Sequence, residues 1–345
     1  MAEPPQGSAL RRAPPFLPGG KVSALFAYHA AGKRSVVAKG AEALASLFER
    51  AAVLFDDTPL SARAASGFDP ARIALSHKNL IHISVLPFGA TGPKAEWKGE
   101  EVTLFHAAGE GRLLPNGLSA ELFPERPPLK IAGHFAECQG GVAAALAALA
   151  ALWMGRGQFV DVSIQDAALA LSLFSVQRLG DGASEDRRTR SFRYGGVVEC
   201  ADGYVEILTL EERQWQALVA LMGHPLWARD PALADPLERG RRGLWINRHL
   251  RAFARDKSAA ELVTEGQKLG VPIAKYLEPE EILAGTQERG RGLFAPLPIP
   301  DFGEALMLAA PFRFGADALA PLSGPPALGA DQSVLDAPRQ RRKRA

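Results

Sequence analysis

The chain holds only two cysteines, Cys138 and Cys200, in 345 residues. Two cysteines cannot build a disulfide framework, and neither stands in a CxxC or Cys/His spacing that would hold zinc. A reducing cytoplasm fits this usage, and no resident metal is expected. The seven histidines are scattered without metal spacing. There is no Walker loop, no GxGxxG, no HExxH and no GxSxG. The most apolar stretch, Val142–Met154 (VAAALAALAALWM), has 13 residues, short of the ~18 that span a bilayer. Its Ala/Leu composition and mid-chain position point to a tightly packed core helix and to no membrane partner. The first 20 residues carry arginines but no apolar core, so no secretory signal is expected. A charge surplus is missing as well. The formal net charge is +2, and the last seven residues (RQRRKRA) hold five positive charges and no negative one. Without them 35 basic residues face 38 acidic ones. A near-neutral body has no long-range field to gather nucleic acid, and the basic tail reads as a solvated end.

What is present is globular. Apolar residues make up 47% and charged residues 23%, which excludes disorder of the whole chain. The 34 glycines and 26 prolines favour many connections over a simple helix bundle. Residues 1–20 are rich in both and should be irregular. Leu44, Leu47 and Phe48 share one face of an expected helix, Gly40–Arg50. Ala52–Phe55 reads as a strand, Asp69–Leu75 as a turn and short helix, and Leu80–Leu86 (LIHISVL) as a second strand. A helix over Gly140–Met154 leads through a Gly-Arg-Gly-Gln turn into a third strand, Phe159–Ser163 (FVDVS). Another helix, Gln165–Arg178, follows at once. Strands alternating with helices argue for a parallel sheet covered on both faces.

A charged stretch, Leu179–Arg193, reads as a linker or mobile loop, and the texture then changes. Val197–Cys200 and Tyr204–Thr209 flank Asp202-Gly203, a hairpin signal. Gln214–Met222 and Asn247–Ala254 read as helices. Ser258 and Glu261 form a capping box on a helix ending at Leu269. A smaller α+β domain over 197–285 is expected, inserted between a large α/β domain (1–195) and its C-terminal return (290–345). Trp153, Trp215, Trp227 and Trp245 sit in helical or turn contexts and are expected in the core.

Asp166 stands out on physical grounds. It follows the strand FVDVS and falls in the first turn of the next helix. Open parallel sheets bind ligands outside the carboxyl ends of their strands, and a helix N-terminus stabilises a carboxylate. An aspartate placed there only for the helix dipole explains the same position.

The segment Gly157–Ala167 (GQFVDVSIQDA) resembles the central signature of class III CoA-transferases, the formyl-CoA and carnitine CoA-transferase (CaiB/BaiF) family. Phe88–Pro93 (FGATGP) is similar to its glycine turn, and Arg126–Leu152 to its Gly/Ala-rich helix. Gly32–Ser35 (GKRS), Gly270–Ala274 (GVPIA) and Pro325–Leu335 (PPALGADQSVL) resemble further landmarks in the same order. The resemblance implies an open parallel Rossmann-like sheet with an inserted α+β domain, and an interlocked dimer in which each chain passes through the ring of the other. It implies that Asp166 attacks an acyl-CoA thioester to give an aspartyl mixed anhydride, with Glu101 as a second active-site carboxylate. Gly89 and Gly92 would form the substrate turn, and Gly195-Gly196 a loop covering the anhydride. Arg11 and Lys33 would meet the CoA phosphates. Coenzyme A enters as substrate, with a small carboxylic acid as acceptor and no permanently bound cofactor.

Two departures stand out against the family pattern. The sequence starts where the family's opening βαβ unit would already have ended, so the sheet is expected to be truncated and CoA binding reduced. Phe55-Asp56-Asp57 replaces the usual Asn-Phe pair and is expected to bring negative charge near CoA. Two other readings therefore stay open. One is an acyl-CoA racemase or epimerase of the same superfamily, although Gly99-Glu100-Glu101 lacks its histidine and His106 is several residues away. The other is a degenerate subunit that binds a complete paralogue, making a heterodimer in place of a homodimer.

Overall fold

The computed structural model describes residues 1–115, 117–171, 176, 180, 182, 194–315 and 322–335. The end of the helix expected over Gln165–Arg178, most of the stretch 179–193 and the basic tail lie outside the described residues. The strands are β1 (Ala2–Glu3), β2 (Val36–Val37), β3 (Val53–Asp56), β4 (Ile81–Leu86), β5 (Gln158–Ser163), β6 (Gly196–Cys200), β7 (Gly203–Ile207), β8 (Ile273–Lys275), β9 (Phe294–Ile299) and β10 (Gly303–Leu308). The first eight helices are α1 (Ala24–Ala30), α2 (Gly40–Arg50), α3 (Leu60–Ser66), α4 (Pro70–Ser76), α5 (Glu101–Ala107), α6 (Gly117–Leu122), α7 (Phe135–Met154) and α8 (Ile164–Leu171). They are followed by α9 (Glu212–Leu221), α10 (Pro236–Arg241), α11 (Gly243–Ala254), α12 (Ala259–Leu269), α13 (Pro279–Ala284) and α14 (Thr286–Gly290). The fold is mixed α/β with parallel sheets, and it divides into two compact units. One comprises Met1–Trp97, Gly141–Ser163 and the chain from Glu278 on; the other comprises Lys98–Gly140 and Ile164–Leu277.

In the first unit β3, β4 and β5 form a parallel sheet in that order, with Val53 opposite Ile81 and Ile81 opposite Gln158. β1 and β2 make a separate parallel pair, and β9 and β10 an antiparallel hairpin. The α2 stripe works as its periodicity predicts: Leu44 and Phe48 pack with Ile73 of α4 and with Leu80. Asp69 caps α4 by accepting from the Arg72 N–H at 2.9 Å. Gly157 opens β5 because nothing larger fits. A Cβ there would lie 2.2 Å from the carbonyl oxygen of Lys78 and 2.7 Å from the carbonyl carbon of Asn79, both backbone atoms that cannot swing aside.

Helix α7 corrects two expectations. It begins at Phe135, five residues earlier than expected, and it is not packed all round. Ala144, Ala148 and Ala151, at helical spacing, lie against Ile81, Ile83 and Val162 of the sheet. The opposite face carries Val142, Leu146 and Leu149, which are 65%, 68% and 65% exposed, and Trp153, 93% exposed where a core residue is expected. The reason is the residue sizes: only an alanine ridge lets the helix approach the sheet closely, so the large side chains take the other side. Among the described residues this is the one helix long and apolar enough to cross a membrane, and 28% of its most apolar window is buried.

The second unit holds the antiparallel sheet β6-β7-β8, with Val205 opposite both Val198 and Lys275. Its core joins Val198, Val205 and Ile207 to Trp215, Leu218, Ile246, Leu250 and Leu262, with Trp227 and Trp245 packed on the edge. The expected capping box at Ser258 is not the cap that forms. Asp202, in the β6–β7 turn, accepts from the Ala259 N–H at 2.7 Å and from the Ser258 hydroxyl at 3.0 Å. A carboxylate is a stronger acceptor than a hydroxyl, so the hairpin turn caps α12. These two bonds, the backbone one first, hold the Asp202 carboxyl below its ordinary range.

Candidate active site

Asp166 lies in the first turn of α8 and is exposed. β5 runs into α8 with only Ile164 and Gln165 between the last strand residue and Asp166, so the strand's carboxyl end delivers it. Gln165 Nε2 donates to the Ala107 carbonyl at 3.1 Å, tying the start of α8 to the last residue of α5. Glu101 is the first residue of α5. Gln165, beside Asp166, thus meets the end of α5 opposite to Glu101. Glu101 is 8% exposed and engaged elsewhere. It accepts from the backbone N–H groups of Ala136 (3.3 Å) and Glu137 (3.0 Å), and Lys130 Nζ stands 3.4 Å away. It is thus the N-terminal anion of α7, where unpaired N–H groups and the dipole favour a carboxylate. Near it, burial and then the charges of Glu101 and Glu137 push the Cys138 thiol up. His106 packs its ring against Gly111, where a Cβ would sit 2.0 Å from Nδ1.

The Phe88–Pro93 turn leaves the carboxyl end of β4, with Gly89 at φ +81° and Gly92 at φ +87°. Asp161, inside β5, pins it. Its carboxylate accepts from the Ala90 N–H at 2.7 Å and the Thr91 hydroxyl at 3.2 Å. Sequence reasoning missed Asp161, although an acidic residue within a parallel strand was the available signal. Gly195 and Gly196 take φ +79° and +82° at the start of β6. A Cβ on Gly195 would stand 2.5 Å from the Ile207 carbonyl oxygen. Its N–H donates to Asn247 Oδ1 at 2.7 Å.

The expected phosphate cations fare differently. Arg11 forms a fork onto buried Glu3, Nε to Oε2 and Nη2 to Oε1, both at 2.8 Å, and Nη1 reaches the Pro326 carbonyl at 3.1 Å. Its guanidinium stacks over Phe26 at 4.1 Å. Glu3 also accepts from the Ser35 hydroxyl and the Ser8 N–H, so this pair fixes the Gly32–Ser35 turn. Lys33, in that turn, is exposed. The next residue, Arg34, lines a cavity of about 440 Å³ with Val36, Leu54, Phe55, Asp57 and Phe68. In Phe55-Asp56-Asp57 the two carboxylates differ in their partners. Asp56 is 3% exposed and turned inward, accepting from His82 Nε2 and the Thr58 N–H at 2.9 Å with Arg63 Nε at 3.4 Å. Burial opposes ionisation there, but these bonds and the Arg63 charge hold the carboxyl below its ordinary range. Asp56 and Asp57 both line the cavity, Asp56 with its carboxylate paired.

A parallel sheet with a glycine turn at its carboxyl edge, then a helix with an aspartate in its first turn, then a unit with an antiparallel sheet make up a mixed α/β fold. Among solved structures it is similar to a CaiB/BaiF family protein from Brucella suis, with TM-score 0.81 and 25% identity over 97% of this chain and 90% of that one. CoA-transferase family III matches residues 2–332, and the chain belongs to that family. A probable CoA-transferase of Mycobacterium tuberculosis is 31% identical over 304 residues, covering 84% of this chain. The chain spans 38% of the length of that relative. The succinyl-CoA:(R)-benzylsuccinate CoA-transferase subunit BbsE of Thauera aromatica is 28% identical over 305 residues, 83% of this chain and 73% of the relative.

Proposed function

We propose that this chain transfers CoA from an acyl-CoA thioester to a carboxylic acid, with Asp166 as nucleophile. The observation that carries this is the delivery of an exposed aspartate by β5 into the first turn of α8, in a chain that belongs to CoA-transferase family III. An Asp166 oxygen attacks the thioester carbonyl carbon, the C–S bond breaks, and CoA leaves as thiolate with an aspartyl anhydride in its place. Thiolate then adds to the aspartyl carbonyl and releases the donor acid, leaving an aspartyl thioester. The acceptor carboxylate displaces thiolate to form a second anhydride, and thiolate removes the acceptor acyl group and frees Asp166. Thioester and anhydride are of similar reactivity, so no half-step is steeply uphill.

In this reading the Gly89–Gly92 turn borders the thioester and the Gly195-Gly196 loop covers the anhydride. Lys33, with Arg34 at the cavity mouth, meets the CoA phosphates, and Arg11 acts through Glu3 to set their turn. Glu101 is the second carboxylate of the site, acting through the N-terminus of α7. The sheet is an open Rossmann-like one, the α+β domain spans 197–285 between the large-domain segments 1–195 and 290–345, and two copies interlock as a cytoplasmic dimer. The names of relatives make formyl-CoA and succinyl-CoA the first donors to test.

Asp166→Asn keeps the size and one acceptor at the helix N-terminus, so stability should fall by only about 1 kcal/mol. An amide cannot attack the thioester, so turnover and hydroxylamine-trapped anhydride should both disappear. A variant that retains turnover, or loses it only by unfolding, removes Asp166 from the mechanism.

A further inference from the structure

The apolar face of α11 contains one polar interruption. Ile246, Leu250 and Ala254 line that face in the core of the second unit, and Asn247, 2% exposed, stands among them. A buried carboxamide is costly unless its polar atoms are paired. Here one half is paired: Oδ1 accepts the Gly195 N–H at 2.7 Å. The other half is not, for Nδ2 meets no acceptor among the described residues. A residue kept for packing would be leucine, and one kept for a polar network would use both atoms. Asn247 is used as an acceptor for a single loop N–H.

That N–H belongs to a backbone that needs holding. Gly195 and Gly196 are consecutive residues at positive φ, a geometry that glycine tolerates but does not prefer over its alternatives. Tyr194, just before them, is fixed by its ring edge on Trp215, at 5.5 Å between centroids, and by its hydroxyl, which donates to the Thr209 carbonyl at 3.4 Å. Neither contact sets the orientation of the following peptides. The Asn247 bond does, because rotation of the Tyr194–Gly195 peptide would strand both the N–H and Oδ1 in a buried site.

We propose that Asn247 is the positioning residue of the glycine loop, and that its acceptor oxygen keeps the loop in the conformation that shields the aspartyl anhydride from water. This rests on the reading of Asp166 and the loop given above. Without the bond, water competes with the acceptor. A water oxygen bonds to the acyl carbon of the anhydride, the bond to the Asp166 oxygen breaks, and Asp166 returns as carboxylate. With CoA thiolate taking up a proton from the attacking water, the balance is thioester plus water giving acid plus thiol.

The experiment compares wild type with Asn247→Ala and Asn247→Asp on formyl-CoA and succinyl-CoA, measuring CoA release, new thioester and free acid. Asn247→Ala should raise the ratio of hydrolysis to transfer roughly tenfold, the scale of one orphaned buried donor. Asn247→Asp keeps an acceptor oxygen and breaks no donor bond, so it should restore the wild-type ratio. Amide exchange supplies a readout independent of turnover: protection at Gly195 should fall in the alanine variant and hold in the aspartate variant, with β7 and β8 unchanged in both. Parallel loss of release and transfer at a constant ratio, or unchanged Gly195 exchange, overturns the assignment. Should Asn247→Ala not fold, leakage by a folded Asn247→Asp whose Gly195 stays protected overturns it too. A wild type that releases no CoA from either thioester while Gly195 exchange responds as expected sinks the transferase reading and this shielding role, and leaves only the structural bond.

Discussion

Glu3 is a carboxylate buried at 3% exposure and yet ionised. Burial alone would raise its pKa, but the Arg11 fork, the Ser35 hydroxyl and the Ser8 N–H overcome it and hold the pKa at about 2 against an ordinary 4.5. Because the folded value is the lower one, the pair stabilises the fold fully above pH 4.5 and its contribution fades as pH falls through about 2. At most it is worth on the order of 3 kcal/mol. Glu3→Gln should lower the melting temperature at neutral pH and flatten its decline across that acid window. Parallel wild-type and variant curves would show that the pair carries no linkage. The family resemblance marks Arg11 as a cation for the CoA phosphates, but the sequence does not show it as a partner of Glu3. Eight positions separate the two, and their pairing depends on how residues 1–12 fold back.

At the scale of elements, the α7–β5 junction depends on Gly157. Its Cα approaches the Lys78–Asn79 backbone too closely for a side chain, so Gly157→Ala must push β5 away from the chain that leads into β4. Overpacking of this kind costs about 3 kcal/mol. Calorimetry should show that loss, and hydrogen exchange should place it in β4 and β5 ahead of β6–β8. A melting temperature within a degree of wild type would mean that the junction yields freely. Strands β3 to β7 and the α2 and α4 helices were readable from periodicity, turn signals and caps, since each depends on residues within one or two turns; β1, β2 and β8 to β10 were not. The cap of α12 was not. Asp202 is 57 positions from Ala259, and local sequence favoured Ser258.

For the whole molecule, Val142, Leu146, Leu149 and Trp153 on α7 form an exposed apolar ridge, the chemistry of an interaction surface. The proposed dimer gives it a partner. Wild type should sediment as a dimer, and Leu146→Glu with Leu149→Glu should shift it toward monomer, because two buried charges would lack counterions. A monomeric wild type would refute the dimer, and co-sedimentation with lipid vesicles would assign the ridge to a membrane surface instead. The sequence by itself determined the alternation of strands and helices, the family and the position of Asp166 after a strand, because hydrophobic period and short motifs are local. Only the tertiary structure decided that Asp56 turns inward, that Glu101 caps α7, that Asp161 pins the glycine turn and that Asn247 holds Gly195. Each of these joins groups remote in sequence, and no local pattern can say which buried polar group will meet which.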